Sequence, residues 1–188
     1  QEPVTALGTV ASTERQLTVR EIVLAGTDYL TMLDINGEAL WRVPLNSQTA
    51  PVAIESFDYL ADGNEDILLL LGSGQLLAFN TSGEIIWQFA GQDNAAANVN
   101  PQMLVDDFDG DGRKEIVVGI FTARRFSELF YLDDGTLRWQ QSISRRISSI
   151  TKAPFGPNGN SIAVGTNFGQ LDIYSTTGEL LWYRTVNR

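Results

Sequence analysis

A regular set of carboxylates lies in one short stretch of the sequence, VDDFDGDGRKEIVVG, which spans residues 105–119. The stretch contains a D-x-D-x-D-G-x-x-E pattern, so carboxylates stand at positions 1, 3, 5 and 9. Alternating carboxylates in a tight glycine-bearing turn can converge on one point, where a divalent cation relieves their repulsion. Ca²⁺ takes about 6–8 oxygen ligands, which carboxylates, a backbone carbonyl and water supply. We therefore predict a calcium site formed by Asp107, Asp109, Asp111, Glu115 and the backbone carbonyl of Arg113.

This loop resembles the calcium loop of the FG-GAP or VCBS repeat found in integrin α-type propellers. In those repeats the loop lies between two strands, and the same place is expected here. Every ligand position matches, with Glu115 where Asp is commoner. Gly110 and Gly112 allow the loop to curl, since glycine adopts positive φ without a steric penalty.

A second, weaker copy of the loop occurs earlier, in the segment FDYLADGNEDI. Asp58, Asp62 and Asp66 fall at positions 1, 5 and 9, but Leu60 holds position 3. We predict at most a weaker second metal site there. The corresponding segments of the first and fourth repeats lack the carboxylates that a site would need.

Two arginine pairs form the second candidate for chemistry. The segment TARRFS carries Arg124, Arg125 and Phe126, and the segment SRRISS carries Arg145 and Arg146. On an acidic protein such pairs create a local positive site, which can hold carboxylates through bidentate hydrogen bonds and stacking. We predict that they bind an acidic peptide, a carboxylate or a sugar acid. A long connection at residues 90–102 is expected at the same end of the sheets.

The composition excludes several classes of function. The 188 residues include 23 acidic and 13 basic ones, a net charge of −10, which opposes binding to nucleic acid. No apolar run approaches the roughly 20 residues of a membrane span, so no direct membrane insertion is expected. The absence of Cys and His removes thiol nucleophiles, serine–histidine triads and the usual zinc ligands.

The sequence contains four related repeats, and these predict the strands that position the residues described above. All four tryptophans end a related segment, namely NGEALW, SGEIIW, DGTLRW and TGELLW. They are spaced by 46, 52 and 43 residues (41 to 87, 87 to 139, 139 to 182), a period typical of propeller blades. The repeats span approximately residues 1–45, 46–90, 91–143 and 144–188, within one propeller-type domain. Each tryptophan is expected to fill the gap between neighbouring sheets.

Each repeat contains four short apolar runs bounded by Gly, Asn, Asp and Ser, which predicts four antiparallel strands, A to D. We therefore predict an all-β protein, a β-propeller with four four-stranded blades, either as a closed ring or as an open arc of a larger propeller. The segments LDINGEALW, FNTSGEIIW and YSTTGELLW resemble the repeat of quinoprotein (PQQ-like) propellers. The third copy, LDDGTLRW, is one residue shorter before its glycine. The resemblance implies the fold and not the cofactor, so no quinone is expected.

These observations favour a non-catalytic, calcium-stabilised binding or scaffold module for protein or glycan partners, outside the cytoplasm, where calcium is abundant. A quinone-dependent dehydrogenase fragment or another propeller enzyme is the first alternative, and the quinoprotein resemblance motivates it. The second alternative is an assembly module that completes a larger propeller, with a second copy or another propeller segment as partner.

Overall fold

The computed structural model describes residues 3–14, 17–91, 100–155 and 160–186, and every regular element in these ranges is a β-strand. The strands form four antiparallel sheets, each with four strands in chain order. No described helix is long and apolar enough to cross a membrane. Each sheet lies within one predicted repeat. The predicted fold class, an all-β array of four four-stranded antiparallel blades, is confirmed.

The chain divides into two compact units, Gln1–Ala90 and Gly91–Arg188, and each contains two sheets. The strands of the first unit are β1 (Ala6–Glu14), β2 (Leu17–Ala25), β3 (Tyr29–Leu33), β4 (Ala39–Pro44), β5 (Pro51–Phe57), β6 (Asp66–Leu71), β7 (Leu76–Phe79) and β8 (Ile85–Phe89). The strands of the second unit are β9 (Gln102–Asp106), β10 (Glu115–Phe121), β11 (Ser127–Asp133), β12 (Thr136–Ile143), β13 (Ile147–Ala153), β14 (Ser161–Thr166), β15 (Gln170–Ser175) and β16 (Leu180–Thr185).

The second strand of each sheet carries much of the core. Strand β6 is buried at every position, and β10 at all but its last. This explains why both read as continuous apolar runs, since a strand buried on both faces has no polar side to alternate with. In the first unit, Val23 and Met32 pack into one cluster with residues of the second sheet such as Leu69. In the second unit, Val117 and Ile162 belong to a comparable cluster.

The turns between the third and fourth strands use glycine for its backbone freedom. Gly37, Gly83 and Gly178 have φ angles of 83°, 81° and 85°, a region that favours glycine. Each donates its N–H to the carbonyl of the residue three positions earlier. The shorter third turn places Asp134 and Gly135 at φ 49° and 67°, which is the two-residue hairpin pattern with positive φ at both positions.

Two of the tryptophans join neighbouring sheets, as the repeat predicted. The indole N–H of Trp41 donates to the carbonyl of Thr81 at 2.8 Å, and that of Trp139 donates to the carbonyl of Thr176 at 2.8 Å. A Cβ built on Gly83 or Gly178 would lie 3.1 Å or 2.8 Å from the ring that faces it. The glycine therefore serves twice, because it supplies the positive φ and leaves room for the ring.

Candidate metal centre and ligand-binding face

The carboxylates of the third repeat lie in the loop between β9 and β10, whose backbone is curled by hydrogen bonds to their own side chains. Gly110 and Gly112 have φ angles of 86° and 88°. The two oxygens of Asp107 accept the N–H groups of Gly110 at 2.6 Å and of Gly112 at 3.0 Å. Asp109 accepts the N–H of Asp111 at 3.1 Å. The loop thus folds around the carboxylates.

The four predicted carboxylates come together. Asp107, Asp109, Asp111 and Glu115 each offer a ligand oxygen, and these oxygens lie within 4.8 Å of one another. The fifth predicted ligand is the backbone carbonyl of Arg113, whose side chain turns away to pair with Asp134 at 2.6 Å. The carbonyl itself stays a prediction.

Glu115 differs from the other three because it is buried, with 1% of its surface exposed. Its Oε2 accepts the N–H of Phe108 at 2.6 Å and the hydroxyl of Tyr131 at 3.2 Å. Its Oε1 is buried and has no hydrogen-bond partner among the described residues. Burial, together with the nearby charges of Asp109 and Asp107, raises the pKa of Glu115. A buried carboxylate oxygen without a partner costs free energy, which a cation relieves.

Two contacts of this site were not anticipated. The hydroxyl of Tyr131, on β11, contacts Glu115 within the same sheet. The ammonium of Lys152, on β13 of the next sheet, bonds the carboxylate of Asp106 at 2.9 Å and the backbone carbonyl of Asp107. Strand pairing within a hairpin is a signal that could have found Tyr131. No local pattern marks Lys152, because its strand meets the loop only when two sheets pack.

The second predicted loop, between β5 and β6, has a similar backbone and other partners for its carboxylates. Asp66 is buried and accepts the N–H groups of Tyr59 and Leu60, both at 3.0 Å. Asp58 accepts those of Asp62 at 3.0 Å and Gly63 at 2.9 Å. Within the described ranges, only the loop at residues 107–115 brings three or more acidic ligand atoms together. The weaker second site stays a prediction.

The predicted ligand-binding arginines lie at the other end of β10. Arg124 and Arg125 are exposed in the turn between β10 and β11, where Arg125 has a φ of 67°. Phe126, in the same turn, is partly buried, and its carbonyl accepts the N–H of Thr122 at 2.8 Å. Since β10 has seven residues, this turn lies roughly 20 Å from the carboxylate loop at about 3.3 Å per residue.

The second arginine pair lies beside the first. The N–H of Ile147, directly after this pair, donates to Ser127 at 3.0 Å, which ties the connection between β12 and β13 to the turn. The guanidinium of Arg146 lies 5.4 Å from the ring centre of Phe121, and that of Arg145 lies 4.9 Å from that of Phe168.

Two acids near these arginines have other described contacts. Glu128 accepts hydrogen bonds from Gln140 and Ser142, and Asp134 pairs with Arg113. Most of the long connection that was expected at this end, residues 92–99 with Asp93 among them, lies outside the described residues.

The class of the protein is a β-propeller array. It is defined by four-stranded antiparallel sheets that follow one another along the chain, each with a glycine turn and a tryptophan in its last strand. The model of the FAM234A/B β-propeller family matches residues 27–137. The chain belongs to this family. The finer resemblance to quinoprotein and FG-GAP repeats stays a prediction. No curated protein matches the sequence of the chain.

Solved propellers share the fold. The chain is similar to BBS1N, seen in complex with ARL6DN, with 15% identity and a TM-score of 0.67 over 100% of this chain and 53% of that one. It is also similar to Sqt1 of Saccharomyces cerevisiae, with 12% identity and a TM-score of 0.71 over 96% and 48%. The Pan2 WD40 domain of Neurospora crassa has 12% identity and a TM-score of 0.60 over 98% and 50%. The chain thus spans about half the length of these structures.

Proposed function

We propose that this propeller array is a non-catalytic binding module that is stabilised by one calcium ion and recognises an acidic segment of a partner protein. The observation that carries the calcium part is the unpartnered Oε1 of the buried Glu115, beside three further carboxylates. An acidic hairpin that is merely solvated has no reason to bury a carboxylate oxygen without a partner.

The ion would be held by Asp107, Asp109, Asp111 and Glu115, with the carbonyl of Arg113 and water completing the shell. Calcium supplies charge neutralisation and cross-linking here. Asp107 and Glu115 belong to the two ends of the loop, so a shared ion joins the end of β9 to the start of β10. Lys152 already holds the carbonyl of Asp107 from the next sheet, so a fixed loop also supports that sheet.

The arginine face supports the binding part of the proposal. Arg124, Arg125 and Arg145 are exposed on short connections of a rigid sheet pair, which is where binding residues usually lie. Arg145 and Arg146 lie over aromatic rings, which orient the guanidinium groups for planar contact with carboxylates. A BBS1N propeller of similar fold is itself seen in complex with a protein, ARL6DN. A calcium-dependent fold suits a compartment outside the cytoplasm.

Calorimetric titration with calcium tests the metal part. The wild-type chain should bind one ion and gain stability, by about 2.7 kcal/mol at a calcium concentration of 100 Kd. Asp109→Asn should lose both effects, because it removes a ligand charge. Asp133→Asn is the matched control, since this partly buried acid pairs with Arg138 and lies outside the cluster. Equal melting temperatures in calcium and in chelator for the wild type would end the proposal.

A labelled peptide of alternating Glu and Asp tests the arginine face. The wild-type chain should bind it with an affinity that falls as salt rises. Arg124→Ser with Arg125→Ser should weaken binding roughly tenfold or more, because two exposed cations are lost. Arg20→Ser with Arg138→Ser makes the same change in net charge elsewhere on the surface and should leave binding unchanged. Equal losses in both pairs would show that only net charge matters.

A further inference from the structure

The repeat contains a knob and a hole that meet where neighbouring sheets pack. The knob is the tryptophan of one sheet, and the hole is the glycine turn of the next. This contact occurs in both units, where Trp41 lies on the turn of Gly83 and Trp139 lies on the turn of Gly178. In both, the indole N–H donates at 2.8 Å to the carbonyl two residues before the glycine. The same contact therefore recurs between neighbouring sheets, and we call it the tryptophan joint.

The last sheet has a knob that carries no such turn. Trp182 is 39% exposed, and its described ring contact is an edge-on one with Phe155 at 5.8 Å between ring centres. Its indole N–H has no hydrogen-bond partner among the described residues, unlike those of Trp41 and Trp139. A half-exposed tryptophan with an unused donor is a ready interface anchor.

The first sheet has a hole that holds no ring. The Gly37 turn has the φ angle of the two occupied turns and the same hydrogen bond from the glycine N–H to the carbonyl of the residue three positions earlier. A Cβ built on Gly37 meets no described atom within 4 Å. Ile35, whose carbonyl occupies the acceptor position, is 77% exposed, the highest value among the large apolar side chains described. The Gly37 turn therefore has the backbone geometry of the two occupied turns, but no tryptophan ring among the described residues packs on it.

The surfaces around these two features are complementary. Eleven of the fifteen large exposed apolar side chains in the described ranges belong to the first and last repeats, which concentrates unburied apolar surface there. The charges of the two surfaces are complementary as well. Gln141 donates to the carbonyl of Gly178 in the joint of the second unit, and Arg184 holds the same position relative to Trp182. The Gly37 turn carries Asp34 and Glu38, so an arginine there meets opposite charge.

We propose that two copies of this chain pair head to tail, with Trp182 of each copy seated on the Gly37 turn of the other. The indole N–H of Trp182 donates to the carbonyl of Ile35, and Arg184 lies beside the carboxylates of the turn. Each joint brings together two different surfaces, and the two joints of a pair are related by a twofold axis, so together they form one isologous interface. The calcium loop takes no part, so this pairing and the metal proposal fail or stand separately.

Mass measurement in solution, by light scattering and sedimentation, tests the pairing. The wild-type chain should show twice the 20.7 kDa of one chain. Trp182→Ala should weaken pairing roughly tenfold or more, as expected for a central tryptophan of an interface. Leu137→Ala, which removes another exposed apolar side chain, should pair like the wild type. Circular dichroism and melting curves check that each variant is folded.

Blocking the hole gives a second variant that leaves the tryptophan intact. Gly37→Asn should also weaken pairing roughly tenfold or more, because asparagine tolerates positive φ while its Cβ takes the space of the ring. A mixture of these two variants should recover one joint, between the intact Trp182 of one and the intact Gly37 of the other. A single-chain mass for the wild type overturns the proposal. Pairing that survives both substitutions, or assemblies larger than two copies, also overturn it.

Discussion

The loops at residues 58–66 and 107–115 follow the same path with different side chains. Both have positive φ at the fourth and sixth positions, Ala61 and Gly63 in one and Gly110 and Gly112 in the other. In both, the first aspartate accepts the N–H of the sixth residue, at 2.9 Å and 3.0 Å. The first carboxylate thus stabilises the same backbone path in both loops, and this path does not depend on a full set of ligands.

The difference between the loops lies at the third and ninth positions. Leu60 has no carboxylate, so the N–H of Asp62 donates to Asp58, whereas the N–H of Asp111 donates to Asp109. At the ninth position, Glu115 has one buried oxygen without a hydrogen-bond partner among the described residues. Neither oxygen of Asp66 is both buried and without a partner. The loop at residues 107–115 therefore has carboxylate oxygens that its own turn does not use, which the proposed metal site needs.

The largest expected effect is the creation of a second site. Leu60→Asp, Ala61→Gly and Asp66→Glu together give the loop at residues 58–66 the carboxylate pattern of residues 107–115. Calorimetry should then show a second calcium-binding event, because the backbone already has the required path. The same triple variant with Asn at residue 60 is the control and should show one event. A single event in both variants would break the comparison.

A smaller effect separates the structural role of the first aspartate from its proposed role as a metal ligand. Asp58→Ala should lower the free energy of unfolding by about 1–2 kcal/mol, because two backbone N–H groups lose their acceptor. The loss should be equal in calcium and in chelator. Asp107→Ala should cause a similar loss in chelator and a larger one in calcium, measured by urea unfolding. Calcium-independent losses for Asp107→Ala would contradict its role as a ligand.

The smallest effect concerns the fourth position of each loop. Gly110→Ala should lower the free energy of unfolding by roughly 1 kcal/mol, since an L-residue is strained at a φ of 86°. Ala61→Gly should raise it by a few tenths, because relief of the strain at a φ of 55° is partly offset by the greater freedom of glycine when unfolded. Thermal unfolding of both variants, with calcium chelated, measures the difference. A stabilising Gly110→Ala would refute this account.

Much of the fold was predictable because the repeat carries the same local signals four times. Glycine turns, apolar runs and one tryptophan per repeat agree on where each strand begins and ends, and the observed strands follow them closely. The shorter third turn was also visible, as a missing residue before Gly135. Ala61, by contrast, was not marked as a positive-φ residue, because alanine has no such preference and the surrounding hydrogen bonds impose it.

The candidate site was predictable only in part, for a physical reason. Contacts within one loop follow from spacing, so the convergence of Asp107, Asp109, Asp111 and Glu115 could be expected. Contacts between sheets depend on packing, and the bond from Lys152 to the carbonyl of Asp107 belongs to that kind. The hydrogen bond from Ile147 to Ser127, which links the two connections that carry the arginine pairs, is another contact that no spacing indicated.

By itself, the sequence determined the repeat, the class of the sheets, the turn glycines and the identity of the acidic loop, because these depend on neighbours along the chain. Only the tertiary structure decided which of four equivalent tryptophans fill a glycine turn and which oxygen of Glu115 lacks a partner. Trp41 and Trp182 end nearly the same sequence segment, yet one is seated on Gly83 and the other is half exposed. Burial depends on what lies across the sheet face, and local sequence carries no record of it.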